Sequence, residues 1–150
     1  MKQRGFEVIS AYLDQEISLP VRKTAESAGY DIEAAKDCVL LPHQVTVIPT
    51  GLKAYMQPDE YLGVHIRSGL SIRQGVSMIN GQGIIDADYY NNEENEGHIM
   101  LALINHSDNT VQITKGMRVA QGIFYRYRVV DGDAVGAGQK RQGGMGSTGV

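Results

Sequence analysis

The chain of 150 residues has no tryptophan, two phenylalanines and a single cysteine, Cys38. A lone cysteine excludes an intramolecular disulfide, and no Cys/His spacing suggests a zinc site. Cys38, between Asp37 and Val39, reads as a strand residue. No apolar run approaches the ~20 residues that span a bilayer, so no membrane association is expected. Excess positive charge is missing too: 14 Lys and Arg against 17 Asp and Glu leave a formal charge of -3. Nucleic-acid-binding domains are usually basic, so no nucleic-acid partner is expected. The start, Met1-Lys-Gln-Arg-Gly-Phe-Glu7, lacks the apolar centre of a secretory signal, and a soluble cytoplasmic protein is the expectation. The four histidines, His43, His65, His98 and His106, show no catalytic spacing. No internal repeat is visible, and the length with 42% apolar residues suits one compact domain.

What is present is a succession of short strands and turns. Glu7–Tyr12, Cys38–Leu41, Gln44–Ile48, Tyr61–Ile66, His98–Ile104, Thr110–Ile113 and Val119–Tyr127 are apolar or β-branched runs. Turn signals such as Leu41-Pro-His43, Pro49-Thr-Gly51, Gln57-Pro-Asp59, Ser107-Asp-Asn109 and Lys115-Gly116 separate them. This spacing predicts an all-β sandwich or barrel. The one expected helix is short, over Gly69–Arg73. Residues 1–131 form the expected body and 132–150 a C-terminal arm. Seven glycines among the nineteen residues of that arm leave little to bury, so it is expected to be flexible, ordering at most over a ligand. Asn91–Gly97 is acidic without an apolar anchor and is expected to be a solvated hairpin loop; a contact with another protein through it stays open.

The most informative segment is Asn80-Gly-Gln-Gly-Ile-Ile-Asp-Ala-Asp-Tyr89. Its glycines allow a turn free of side chains, so that the backbone can approach a flat ligand edge-on. Period-2 geometry then puts Ile84, Asp86 and Asp88 on one face and Ile85, Ala87 and Tyr89 on the other. A carboxylate beside such a hairpin and a tyrosine can activate a water next to a bound base and sugar. The same residues also suit an ordinary hairpin with a solvated acidic edge. In the arm, Gly143-Gly-Met-Gly-Ser-Thr-Gly149 offers open backbone N–H groups and two hydroxyls that can wrap anionic oxygens, and Arg141 can add a bidentate charged contact.

Together with Ala28-Gly-Tyr-Asp-Ile32, Arg67-Ser-Gly-Leu70 and Gly116-Met-Arg-Val-Ala-Gln121, these segments occur in an order that resembles the five motifs of the homotrimeric dUTP pyrophosphatases, the dUTPases. The resemblance runs from Ala28 to Val150. It implies a jelly-roll-like β-barrel with sites at the subunit interfaces of a trimer. It also implies hydrolysis of dUTP to dUMP and pyrophosphate, which limits uracil incorporation into DNA and supplies dUMP for thymidylate synthesis.

By resemblance, Asp86 is the general base, aiming a water at the α-phosphorus; an aspartate carboxylate is ionised at neutral pH and can serve as a base. The uracil edge would be read by backbone groups of Gly83, Ile84 and Ile85 with the Asn80 amide, and by the backbone of Met100. Cytosine would leave buried groups unpaired at about 1–3 kcal/mol each, and the thymine methyl would collide with the close backbone. Tyr89 is placed under the deoxyribose, where its ring excludes a 2′-hydroxyl. Arg67, Ser68, Gly69, Gln121, Arg141, Gly146, Ser147 and Thr148 fall to the phosphates. Met145 stands where the family usually has a phenylalanine lid, so either its thioether covers the base or a tyrosine does. A triphosphate calls for a divalent cation, and Mg²⁺ takes much of its coordination from phosphates and water; the resemblance puts Asp31 near that ion, through a water.

Each residue has a plainer reading beside this one. Arg67 suits a surface salt bridge to Asp59 or Glu60, Gln121 a polar strand position, Asp31 a turn residue and Tyr89 a half-buried strand aromatic. Arg118 reads as a carboxylate partner that holds its strand, outside the ligand set. Two other functions compete: a dCTP deaminase on the same fold, whose members are usually longer and lack the Ser-Thr-Gly ending, and a non-catalytic nucleotide-binding module.

Overall fold

The structure, a computed structural model, describes residues 1–134 and 141–144. Met145, Gly146, Ser147 and Thr148 lie outside the described residues. Among the described residues all strand pairings are antiparallel, in four small sheets. The largest has the order β2 (Val21–Arg22), β3 (Tyr30–Glu33), β12 (Arg118–Arg126), β7 (Glu60–Ile66), β9 (Gly83–Asp86). A second runs β5 (Val45–Pro49), β10 (Met100–Asn105), β8 (Val76–Met78). Two ribbons, β1 (Gly5–Val8) with β6 (Leu52–Tyr55) and β4 (Cys38–Leu40) with β11 (Val111–Ile113), complete a jelly-roll-like barrel.

Alternation explains the layering. In β10, Leu101 and Leu103 point into the core while Met100, Ala102 and Ile104 stay partly exposed. Ile48 of the neighbouring β5 joins Leu101 and Leu103, and Ile32, Leu40, Leu62, Ile113 and Val119 come from the other sheets to the same core; all are all but inaccessible. Each such side chain contributes about 1.5–3 kcal/mol by leaving water. Asn105, the one buried polar residue of β10, is fully satisfied. Its Nδ2 donates to the carbonyls of Leu40 (2.9 Å) and Asn109 (2.7 Å), and its Oδ1 accepts from Ser107 N (3.0 Å) and Oγ (2.8 Å). The amide thereby ties a strand of one ribbon to the end of β10.

Several expectations change. The Glu7–Tyr12 run does not continue as a strand: β1 stops at Val8, and Ser10–Tyr12 turns as a 3-10 helix once Ile9 N donates to Gly51 O at 2.9 Å. Tyr12 instead sets its ring against His98, centroids 5.2 Å apart. The helix over Gly69–Arg73 is present as one wide π-type turn. Among the described residues no helix is long and apolar enough to cross a membrane. The Asp86–Tyr89 alternation also fails, because β9 ends at Asp86 and Ala87–Tyr89 curls into a 3-10 turn. Tyr89 is thereby driven inward, to 8% exposure.

Asn91–Gly97 is not the solvated loop its composition predicts. Asn92 is 5% exposed, and Gly97 is buried at φ +91 with Tyr89 O only 2.8 Å from where a Cβ would stand. Glu96 accepts from Lys53 Nζ at 2.7 Å and from Ser10 Oγ at 3.1 Å. That ammonium, with the Ser10 donors, holds the Glu96 carboxyl below its usual range, the Lys53 contact being the largest cause. The anchors are polar, which is why an apolar pattern could not announce them.

Candidate active site

The glycine hairpin forms a tight turn packed closely on its neighbours. Gly81 adopts φ +75, a conformation that favours glycine, and Gly83 sits where a Cβ would be 3.1 Å from Met78 Cε and 3.5 Å from Val64. With the backbone drawn in this close, a cavity of about 300 Å³ opens between β9 and the β5–β10–β8 sheet. Asn80, Gly83, Ile84, Ile85, Asp86, Tyr89 and Met100 all line it. These are all of the expected base and sugar residues together with the expected base catalyst. Val47, Ile79, Ile99 and Ala102 add apolar wall, suited to the faces of a planar ring.

Asp86 stands at the rim with its side chain half exposed. Arg141, expected on phosphate, here forks across two carboxylates: Nη2 donates to Asp86 Oδ2 and Nε to Asp88 Oδ1, both at 2.6 Å, while Nη1 donates to Gly143 O at 3.0 Å. Asp88 therefore does share a side with Asp86, through the curl rather than through strand alternation. The segment 141–144 lies over this cavity. Gln142 O accepts from Glu94 N at 2.9 Å, and a Cβ on Gly144 would be 2.7 Å from the Tyr89 ring. Glycine there lets the backbone cover the tyrosine closely.

Tyr89 is buried for a purpose visible in its contacts. Its hydroxyl donates to His98 O at 2.6 Å and accepts from Asn95 Nδ2 at 2.8 Å. Burial raises its pKa, so the hydroxyl remains a donor. His98 is pushed the other way, below its ordinary value, by burial, and its neutral Nε2 accepts from Gly51 N at 2.9 Å.

Apart from Arg141, the described residues expected on phosphate lie elsewhere. Arg67, Ser68 and Gly69 line a separate open groove of about 480 Å³ with Ile72 and Arg73. The salt-bridge alternative for Arg67 loses its partners, since Glu60 binds Arg4 at 2.9 Å and Asp59 binds Arg126 at 3.2 Å. Gln121 and Asp31 face each other across β12 and β3. Asp31 is a strand residue, not a turn residue, and it pairs with Arg118 at 3.5 Å. Gly29 clears room for the Gln121 amide: a Cβ there would lie 2.1 Å from Oε1. Asp86 is opposite Tyr61 and Gln121 opposite His65, on the two flanks of β7. Four residues of strand separate them, about 13 Å along the sheet. Among the described residues the cavity and the groove share no lining residue.

Sequence reasoning missed the contacts of Asn92 and Asn95 with Tyr89. The signal was the Asn91-Asn-x-x-Asn-x-Gly97 pattern, because asparagine side chains bond to backbone two or three residues away and build compact turns.

A jelly-roll-like barrel with a glycine-hairpin pocket, a carboxylate at its rim and a basic groove on the same sheet defines a nucleotide-hydrolase architecture. Comparison with known proteins sharpens this. A family model described as dUTPase matches residues 15–149. A deoxyuridine 5'-triphosphate nucleotidohydrolase of Lactococcus lactis subsp. lactis (strain IL1403) is 49% identical over 150 residues, covering 100% of both chains. The crystal structure of dUTPase from Streptococcus mutans superposes with a TM-score of 0.81 at 44% identity, covering 85% of this chain and 99% of that one. The dUTPase from phage phi11 of S. aureus, described with a structural Mg(II) ion, shares the fold at a TM-score of 0.74 and 21% identity, covering 89% of this chain and 97% of that one. The chain belongs to the dUTPase family.

Proposed function

We propose that this protein is a cytoplasmic dUTP diphosphatase that cleaves dUTP to dUMP and pyrophosphate by attack of water on the α-phosphorus. The observation that carries this reading is the convergence of Asn80, Gly83, Ile84, Ile85, Tyr89 and Met100 on one cavity with Asp86 at its mouth. Uracil enters edge-on against the hairpin, whose main-chain donors and acceptors match its acceptor–donor–acceptor edge. Met78 and Val64 behind Gly83 keep the backbone close, which leaves no space for the thymine methyl. Tyr89 lies under the deoxyribose.

Arg141 occupies Asp86 Oδ2, and the attacking water is assigned to Oδ1. The carboxylate takes the proton as the oxygen–phosphorus bond forms, and pyrophosphate leaves. The guanidinium of Arg141 exchanges a carboxylate for a phosphate oxygen when the triphosphate arrives. Residues 132–150 act as the lid over the nucleotide, with Gly146, Ser147 and Thr148 on the phosphates and Met145 over the base.

Arg67, Ser68, Gly69 and Gln121 bind the phosphate chain from a neighbouring subunit of a trimer. This assignment is supported by the separation of the two half-sites within one chain. It is also supported by the outward face of the β5–β10–β8 sheet, where Val45 and Val47 are 50% and 45% exposed. Among the described residues no three acidic, histidine or cysteine side chains gather to hold a metal. On this reading phosphates and water carry most of the Mg²⁺ coordination, with Asp31, which pairs with Arg118 at 3.5 Å, as a single outer contact. When bound, the ion supplies charge neutralisation along the triphosphate.

The test is pyrophosphate release from dUTP, dCTP and UTP in the presence of Mg²⁺. Release from dUTP alone, with no ammonia from dCTP, is expected. Asp86→Asn should lower kcat by a factor of about 10²–10⁴ while a non-hydrolysable analogue still binds. Wild-type kcat in that variant would remove Asp86 from the role of base.

A further inference from the structure

The loop that sequence composition marked as solvated surrounds Tyr89 with asparagine amides, and their donors and acceptors are ordered without ambiguity. Asn95 Oδ1 accepts from Asn92 Nδ2 at 2.7 Å and from Gly97 N at 3.1 Å. With its oxygen so committed, the amide must turn its nitrogen to Tyr89, and Nδ2 donates to the hydroxyl at 2.8 Å. The hydroxyl proton then has one destination, His98 O, at 2.6 Å. The main chain of Tyr89 is held by the same loop, since its carbonyl accepts from Asn92 Nδ2 at 2.8 Å. Asn92 Oδ1 in turn accepts from Glu94 N at 3.0 Å and Asn95 N at 3.1 Å, which closes the loop on itself.

A tyrosine ring can rotate about two side-chain torsions. Here one hydrogen bond into its hydroxyl and one out of it fix the ring at its far end while Asn92 fixes it at the root. Tyr89 lines the cavity, and its hydroxyl is taken up by His98 O and Asn95 Nδ2. The polar tip of Tyr89 is therefore employed in holding the ring still rather than in touching substrate.

We infer that Asn95, supported by Asn92, is a positioning residue for the sugar filter: it locks the Tyr89 ring at the distance that admits a 2′-deoxyribose and excludes a ribose. The inference rests on the reading of Tyr89 as the residue beneath the sugar. It assigns the Asn91–Gly97 segment a role in substrate selection. A filter of this kind depends on rigidity, because a ring that can recede by a fraction of an ångström admits the extra hydroxyl. Buried amides that are fully satisfied supply that rigidity.

The experiment measures kcat and KM for dUTP and for UTP in Tyr89→Ala, Tyr89→Phe, Asn95→Ala and the Tyr89→Phe/Asn95→Ala double variant of the full-length protein. Tyr89→Phe keeps the ring and the loop but deletes the hydroxyl, so it probes the same lock even if Asn95→Ala folds poorly. Both single variants should raise the UTP-to-dUTP ratio of kcat/KM by between about twofold and tenfold, the span of one neutral hydrogen bond. In Asn95→Ala the kcat for dUTP should stay near the wild-type value, since Asp86 is untouched and Asn95 does not line the cavity. The double variant should be no more permissive than the worse single, because both changes break one link. A ratio that relaxes in Tyr89→Ala but not in Tyr89→Phe or Asn95→Ala overturns the positioning role and leaves the filter in place. A ratio unchanged in Tyr89→Ala shows that the filter itself lies elsewhere, and the positioning role falls with it. Additive effects in the double variant likewise overturn the link.

Discussion

The pocket around Tyr89 and the groove around Arg67 are built to different degrees by a single chain. At the first, Tyr89 and Ile99 are buried, the hairpin backbone is packed on Met78 and Val64, and hydrogen bonds fix the tyrosine at both ends. At the second, Ser68, Gly69 and Arg73 are exposed and Ile72 is 83% accessible. A flat, uncharged base must be recognised by shape, which requires rigid walls before it arrives. A flexible, highly charged phosphate chain is held by charge, which acts over distance and tolerates open geometry. Under the proposed function, recognition of the base belongs to one subunit and the groove is brought to the carboxylate by a second.

The largest effect that can break this comparison is complementation. Asp86→Asn and Arg67→Ala chains should each be inactive or nearly so, while trimers co-refolded from both should recover roughly a quarter of wild-type activity, the chance of pairing two intact halves in a cyclic assembly. Pyrophosphate release from the mixture reads it directly. A mixture as dead as its parents would place both halves within one chain.

A smaller effect concerns the wall of the rigid pocket. His98 has its folded pKa lowered by burial, so the unfolded chain binds the proton more readily. The stability that neutral His98 confers is complete above the unfolded value near 6.5 and is lost as pH falls through the depressed folded value. Protonation would also turn Nε2 into a donor facing the Gly51 N–H, which it now accepts. Denaturant midpoints should therefore fall between pH 8 and pH 5.5. His98→Gln, which keeps an acceptor but does not titrate, should show a shallower fall; identical slopes would remove His98 from the pH response.

The smallest expected change is at the outer end of the loop. Glu96→Gln removes the ion pair with Lys53 at 2.7 Å, which is partly exposed and should be worth no more than about 1 kcal/mol. Thermal unfolding should register it while the substrate ratio stays constant, since the Glu96 carboxyl bonds to Lys53 and Ser10 rather than to Asn95 or Tyr89. A large change in that ratio would mean that the lock extends beyond the asparagines.

Much of the fold was legible because its signals are local. Alternation in Met100–Asn105 and β-branched runs such as Val45–Pro49 report strands directly. Gly81 and Gly83 report a turn and a close approach. The Ala87–Tyr89 curl was not legible, because those three residues continue a period-2 pattern and only the inward pull on Tyr89 bends them away. The Glu7–Tyr12 run failed for a similar reason, with Tyr12 drawn to His98.

By itself the amino-acid sequence determined the all-β class, the glycine hairpin with its adjoining acid, and membership of the dUTPase family, since periodicity and motif spacing are properties of the chain read in order. Tertiary structure alone decided that Asn95 meets Tyr89, that Arg141 reaches Asp86 and Asp88 across more than fifty positions, and that the two half-sites lie on opposite flanks of β7. The physical reason is that polar side chains choose partners by distance and direction in three dimensions, and neither is encoded in their separation along the chain.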